Sequence, residues 1–166
     1  MTLHLLETLR LKELPDSVMR TLALALALTG LSVAAAAQSY AAEVVAAYRS
    51  ASCGCCKGWL DHIRKAGFTL QDHVVNNLTV IKQRYGVPAT LSSCHTATIN
   101  GYVIEGHVPV SAIQKLLKER PKVAGIAVPG MPLGSPGMES TLRRETYTVF
   151  TFTKTGVIKP FQTVKG

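Results

Sequence analysis

The sequence predicts a single α/β domain in which strand, helix, strand, helix, two strands and a helix follow in order. A second β-hairpin is appended at the C-terminal end. Three observations lead there. Apolar residues recur with a period that switches between strand-like and helix-like, Gly and Pro punctuate the switches, and one Asn-Gly dipeptide sits between two apolar runs. Glu43-Val-Val-Ala-Ala-Tyr48 reads as the first strand, ending before Ser50 and Ser52. Lys57 to Ala66 follows as a helix, with Trp59, Leu60, Ile63 and Ala66 on one face and Gly67 as its stop. Phe68 to Val75 is the second strand. Asn77 then caps a helix from Leu78 to Tyr85, closed by Gly86 and Pro88. Thr96–Ile99 and Tyr102–Glu105, joined by Asn100-Gly101, form a hairpin, because Asn-Gly is the favoured pair for a two-residue type I′ turn. Val110 to Arg120 is the third helix, with Ile113, Leu116 and Leu117 aligned and Pro121 ending it. The stretch from Pro129 to Met138 is too rich in Gly and Pro for regular structure. Tyr147–Phe152 and Val157–Phe161 make the second hairpin.

The front of the chain has a different character. Leu22 to Leu28 alternates Leu and Ala, and Ala34 to Ala37 follows beyond Gly30. Arg20 precedes this run, and Ala35-Ala36-Ala37 has the small-x-small pattern read by signal peptidase. The run is short for a bilayer span, which needs ~20 strongly apolar residues. Residues 1–37 are therefore expected to be a cleaved secretory signal rather than an anchor, with cleavage after Ala37, or after Ala41 as the second choice. Glu7, Glu13 and Asp16 fit such a signal poorly, and Met19-Arg20 would be a cleaner start. The expected mature domain, 43–166, is then periplasmic, with no membrane attachment. Residues 1–37 carry Arg10, Lys12 and Arg20 against Glu7, Glu13 and Asp16, so the formal charge of +8 stays with the mature part. Its basic residues are scattered, and export also argues against a nucleic-acid partner.

All four cysteines lie in that mature part, three of them in Cys53-Gly54-Cys55-Cys56. Cys53 and Cys56 have C-x-x-C spacing after a strand and at a helix start, where free N–H groups and the helix dipole favour thiolate. The pair suits disulfide exchange or a soft metal. Cys55 adds a sulfur that dithiol exchange does not require. The bland alternative is one structural disulfide with spare cysteines. Thiolate and thioether select Cu(I), zinc or iron–sulfur clusters. Zinc is satisfied by four cysteines, yet such sites normally pair two C-x-x-C knuckles, and Cys94 has no such partner. Adjacent Cys55 and Cys56 suit bridging sulfurs, which points to Cu(I), with zinc as the alternative. Met131 and Met138, the only methionines after Met19, sit in the Gly/Pro-rich stretch. They are weaker candidates, either as thioether ligands or as contacts that pin the loop. His107 follows the hairpin and is a further weaker candidate, whereas His62 and His73 read as surface residues.

The order of elements is that of a thioredoxin-like domain, and one segment extends the likeness. Cys94-His95-Thr-Ala-Thr-Ile-Asn-Gly-Tyr-Val-Ile-Glu-Gly106 resembles the part of glutaredoxins that runs from the cis-proline through a strand, an Asn-Gly turn and a second strand. The resemblance puts His95 at or near the cis-proline position, in a loop that faces the C-x-x-C. Cys94 and His95 are thus expected beside Cys53 and Cys56 as metal ligands.

A wider set of motifs is similar to the CopG-type copper-resistance proteins, a family long carried as predicted metal-binding proteins of unknown function. The matching pieces are Cys53-Gly-Cys-Cys56 with Trp59, Gly86-Val-Pro88, Ser93-Cys-His-Thr-Ala97, Gly101 to Pro109 and Gly125 to Glu139. This resemblance implies a periplasmic protein of thioredoxin-like fold that handles copper through Cys53, Cys55, Cys56 and Cys94. Its partners would be copper ions and a copper efflux or chaperone system. The competing expectation is an enzyme with Cys53 and Cys56 as its redox pair, either a thiol–disulfide oxidoreductase or a copper oxidoreductase. A small disulfide-stapled interaction domain is the third reading.

Overall fold

A computed structural model describes residues 43–165; the export signal expected over 1–37 lies outside them. Strand β1 (Val44–Arg49) leads into helix α1 (Gly54–Lys65), strand β2 (Thr69–Val74) and helix α2 (Leu78–Arg84). After a short 3-10 turn at Ala89–Leu91 come β3 (His95–Ile99), β4 (Tyr102–Glu105) and α3 (Val110–Glu119). Three more strands follow, β5 (Gly125–Ala127), β6 (Tyr147–Phe152) and β7 (Ile158–Val164). Among the described residues no helix is long and apolar enough to cross a membrane.

All seven strands form one mixed sheet in the order β2-β1-β3-β4-β5-β6-β7. β1 is parallel to β2 and antiparallel to β3, with Ala47 opposite Ala97 and Arg49 opposite His95. The Asn100-Gly101 turn has both residues at positive φ, 48° and 82°, as a type I′ hairpin requires. Two sequence expectations change. The hairpin of β6 and β7 is not an appendage. It is stitched into the sheet by β5, which pairs in parallel with β4 and antiparallel with β6. Three residues buried on every side have no alternation to read, so β5 left no periodic signal. Helix α1 begins at Gly54 rather than Lys57, because the Cys53 sulfur caps it, accepting from the Cys56 N–H at 3.3 Å. Cys55 and Cys56 therefore occupy its first turn.

The two faces of the sheet are covered differently. Val45, Ala47, Ala97, Ile99, Ile104 and Ile126 point to one face, where α1 contributes Trp59, Leu60 and Ile63 and α3 contributes Ile113 and Leu116. The opposite face carries Tyr48, Thr96 and Glu105 under α2, a helix with no fully buried residue. α2 is held there by polar contacts, Lys82 to Glu105 and Tyr85 to Tyr48. At the end of β1, buried Arg49 makes two bonds to Asp72 of β2, at 2.9 and 2.7 Å, and donates to the Ser50 carbonyl. This fork fixes the chain where it leaves the sheet for the cysteines.

The Gly/Pro-rich stretch lies across the start of α1 on a glycine-to-glycine contact. A Cβ on Gly58 would stand 2.8 Å from the Gly137 Cα. A Cβ on Gly137 would stand 2.7 Å from the Trp59 nitrogen, and Gly137 also has φ +84°. A side chain at either position would lift the loop off the helix.

Gly137→Ala should therefore destabilise the metal-free, reduced protein by at least ~2 kcal/mol, the left-handed backbone and the overpacking adding together. Gly67→Ala is the reference: φ is +87° but no atom stands within 4 Å, so it should cost only ~1 kcal/mol. Urea denaturation of both variants checks this, and equal losses would show that the loop does not rest on that contact.

Candidate metal centre

Sheet register and helix start together converge four sulfurs. β1 and β3 are neighbours, so the loop leaving β1 and the residue entering β3 lie at the same end of the sheet. Cys53, Cys55 and Cys56 come from the first, Cys94 from the second, and their sulfurs all lie within 4.8 Å of one another. Cys53 and Cys56 are joined as a disulfide, and Cys55 and Cys94 are free. Cys55 Sγ lies 3.5 Å from Cys53 Sγ and 3.8 Å from Cys94 Sγ, and Cys94 Sγ lies 3.6 Å from Cys56 Sγ.

Cys94 also anchors a second group of donors, with His95 and His107. His107 Nε2 stands 2.9 Å from the Cys94 sulfur, and His95 Nδ1 stands 3.4 Å from it. The sequence ranked His95 ahead of His107, but His107 makes the closer approach. Its other ring nitrogen explains how it is aimed. Nδ1 lies 2.8 Å from the Pro136 carbonyl, which only accepts, so Nδ1 carries the proton and Nε2 presents a lone pair to Cys94. The loop that crosses α1 thereby sets the tautomer of a residue at the end of the hairpin.

His95 is buried against Trp59, ring centroids 4.5 Å apart, and meets His107 edge-on at 5.1 Å. Its Nε2 is buried with no hydrogen-bond partner. Trp59 keeps the core role expected for it, donating from its indole to the Val108 carbonyl at 2.8 Å.

The electrostatics favour neutral donors while no metal is bound. Burial, with the Cys55 sulfur alongside, pushes the Cys94 thiol up to about 12. Burial holds His107 below the usual imidazole range, and holds His95 well below it, with His107 and the Lys82 ammonium nearby adding to the effect. At neutral pH Cys94 is therefore a thiol that stands beside the disulfide and two neutral imidazoles. A cation entering the centre would displace the thiol proton and meet free imidazole lone pairs.

The two methionines separate. Met131 Sδ reaches 4.0 Å from Cys55 Sγ, on the outer side of the cluster. Met138 serves the loop through its backbone, donating to the Ser135 carbonyl at 2.8 Å and accepting from the Gly134 N–H at 2.7 Å. His62, read as a surface residue, is exposed as expected but pairs with Glu139 at 2.6 Å, at the end of the same loop. On the other side, a cavity of about 460 Å³ between α2 and the segment before β3 is lined by Leu78, Lys82, Val87, Ser93 and Cys94.

Sequence reasoning missed one residue of the site's surroundings. Glu105 is fully buried directly behind Cys94 and His95, bonded to Lys82, Ser93 and Thr96. The available signal was an acidic residue closing the apolar run Tyr-Val-Ile, where a core strand would carry another apolar side chain.

Comparison with known proteins agrees with this geometry. Residues 91–138 match a family model described as "Protein of unknown function, DUF411", a span that holds Cys94, both histidines and both methionines. No curated protein matches the chain. Two solved structures are similar. "Copper resistance protein copG- Form 2" is 43% identical, over 74% of this chain and 98% of that chain, with a TM-score of 0.71. "Copper resistance protein copG- Form 1" is 44% identical over the same shares, with a TM-score of 0.70. With identity at that level across 74% of this chain and 98% of each of those, this protein belongs to the CopG-type family of copper-resistance proteins.

Proposed function

We propose that this protein is a periplasmic copper-resistance protein that takes Cu(I) as cargo on Cys53, Cys55, Cys56 and Cys94, with His95 and His107 completing the site. The observation that carries this reading is the position of Cys94, whose sulfur stands within 3.8 Å of two other cysteine sulfurs and two imidazole nitrogens. Four thiolates, two imidazoles and the Met131 thioether are soft or borderline donors suited to Cu(I). They are also too many for one ion. A single tetrahedral zinc with ligands at 2.3 Å needs four sulfurs about 3.8 Å apart and leaves the histidines unused. Shared sulfurs, Cys94 foremost, would let several Cu(I) ions occupy the whole set as a polynuclear cluster. The names of the two similar structures support copper over zinc. Met131, on the exposed side, is the donor best placed to hand an ion to an efflux or chaperone partner.

The fold assigned here is thioredoxin-like. Its support is the strand order β2-β1-β3-β4, with β1 parallel to β2 and β3 antiparallel to both neighbours, and the C-x-x-C at the start of α1 facing the start of β3. The expected export signal supports the periplasmic location.

One observation favours a coupled redox role. The Cys53–Cys56 disulfide and the metal site use the same sulfurs. Two thiolates giving one electron each to two Cu(II) ions would form that disulfide and leave two Cu(I) ions, so the pair can change the oxidation state of copper as well as bind it. Alternatively the same pair exchanges with thiols of another protein, in which case copper is not involved.

Anaerobic titration of the reduced protein with Cu(I), against zinc as competitor, should show uptake of more than one copper per chain that zinc does not displace. Zinc displacement or a single bound ion would remove the copper-cluster reading. No uptake, with ready thiol–disulfide cycling, would make the protein an oxidoreductase. Oxidised protein, with Cys53 and Cys56 joined, should take up fewer ions than reduced protein, and a thiol reductant should restore the difference. Cys94→Ser should weaken binding at least as much as Cys53→Ser, because Cys94 touches both groups of donors; normal binding by Cys94→Ser would separate it from the site.

A further inference from the structure

Beneath the Cys94-His95 dipeptide, on the face of the sheet away from Trp59, lies a buried carboxylate that the fold does not require. Glu105 is fully buried at the end of β4, opposite Thr96 of β3. One carboxylate oxygen accepts from Lys82 Nζ at 2.5 Å and from the Ser93 backbone N–H at 2.7 Å. The other accepts from the Thr96 hydroxyl at 2.7 Å. Lys82 also reaches the Thr96 hydroxyl, at 3.2 Å.

Ser93 is the residue before Cys94, and Thr96 is the residue after His95. One side chain thus grips the chain on both sides of the dipeptide. Ser93 lies ahead of β3, which starts at His95, so no ladder partner is available to its N–H. Glu105 supplies that partner. The next residue, Gly106, donates to the His95 carbonyl at 3.0 Å and leads directly into His107. The three donors of the second group are therefore tied to one short stretch, Glu105 to His107.

Burying a carboxylate and an ammonium together is costly, and apolar side chains of similar volume commonly stabilise a core as well or better. Stability alone does not explain the pair. Its geometry does, because it fixes the direction in which Cys94 and His95 leave the backbone.

We propose that Glu105, with Lys82 as its counter-ion, is the positioning residue of the metal centre, holding the Cys94-His95 dipeptide in ligand geometry from the opposite face of the sheet. This rests on the copper-binding reading. Partners that orient ligands in this way typically change metal affinity 10- to 100-fold when removed.

The test compares Glu105→Gln, Thr96→Val and Thr96→Ser with the wild-type chain. Thr96→Val removes one hydroxyl from a strand position without changing its shape, and Thr96→Ser restores the hydroxyl. Competition with a chromophoric Cu(I) chelator should show affinity falling ~10-fold or more for Glu105→Gln and Thr96→Val, and recovering in Thr96→Ser. In reduced, metal-free protein, the rate of Cys94 alkylation relative to Cys55 should shift in the first two variants and return in the third. A structural role alone would lower the melting temperature and leave both the affinity and the alkylation ratio at wild-type values, and that result overturns the proposal. Should Glu105→Gln not fold, the Val and Ser pair at Thr96 decides. Should the wild-type chain take up no Cu(I), the copper reading falls, and the alkylation ratio alone decides whether Glu105 positions Cys94.

Discussion

The antiparallel register of β1 and β3 is the constraint on which the site depends. Arg49 stands opposite His95, so the last residue of one strand meets the first residue of the other. The loop that leaves Arg49 carries three cysteines and the loop that enters His95 carries the fourth, and neither has to travel to meet the other. A slip of one residue would turn His95 to the α2 face and send Cys94 away from α1, because side chains alternate along a strand. Several features hold the register. Arg49 is locked to Asp72 on the neighbouring strand, Ala47 and Ala97 face each other in the apolar core, and Thr96 is bonded to Glu105 across the hairpin.

A second constraint comes from the opposite end of the chain. The Gly/Pro-rich loop contains no regular structure, yet it is fixed to α1 by the close approach of Gly137 to Gly58, and to the hairpin by the Pro136 carbonyl on His107. His62 and Glu139 form an exposed pair at its edge, in which solvent screening leaves little stabilisation. The loop's contribution to the site is therefore directional. It chooses which nitrogen of His107 faces Cys94 and brings the Met131 sulfur to the rim.

Much of this could be read from the sequence, and the parts that could not share a cause. The three helices and the first four strands follow from periodicity, from Asn77 as a cap and from the Asn100-Gly101 turn, all of them local signals. The meeting of Cys94 with Cys53, Cys55 and Cys56 was legible only through resemblance to a segment of known folds, since nothing local relates residues about forty positions apart. β5 was hidden by its length, and its absence made β6 and β7 look like an appendage. The roles of His107 and Met131, against the loop-bound Met138, depend on how an irregular loop folds back, which no period encodes. Glu105 was hidden for another reason. An isolated acidic residue ends many strands, and only its burial and its three partners distinguish it.

The layout also explains how a cluster of sulfurs can exist in a half-buried setting with no metal among them. Four thiolates within 4.8 Å would repel one another at this half-buried site, where water screens them only in part. The protein avoids that state in two ways at once. Cys53 and Cys56 carry no charge while joined as a disulfide, and Cys94 keeps its proton, with burial pushing its thiol up to about 12 and the lone pair of His107 beside it. Reduction of the disulfide would return two sulfurs to the set, and under the copper reading proposed above a bound cation would offset their charge. Cys94 belongs to both groups of donors and is outside the disulfide, so it stays free in the oxidised form. Cys55, His95 and His107 are likewise outside the disulfide, so of the gathered donors only Cys53 and Cys56 are tied up by it.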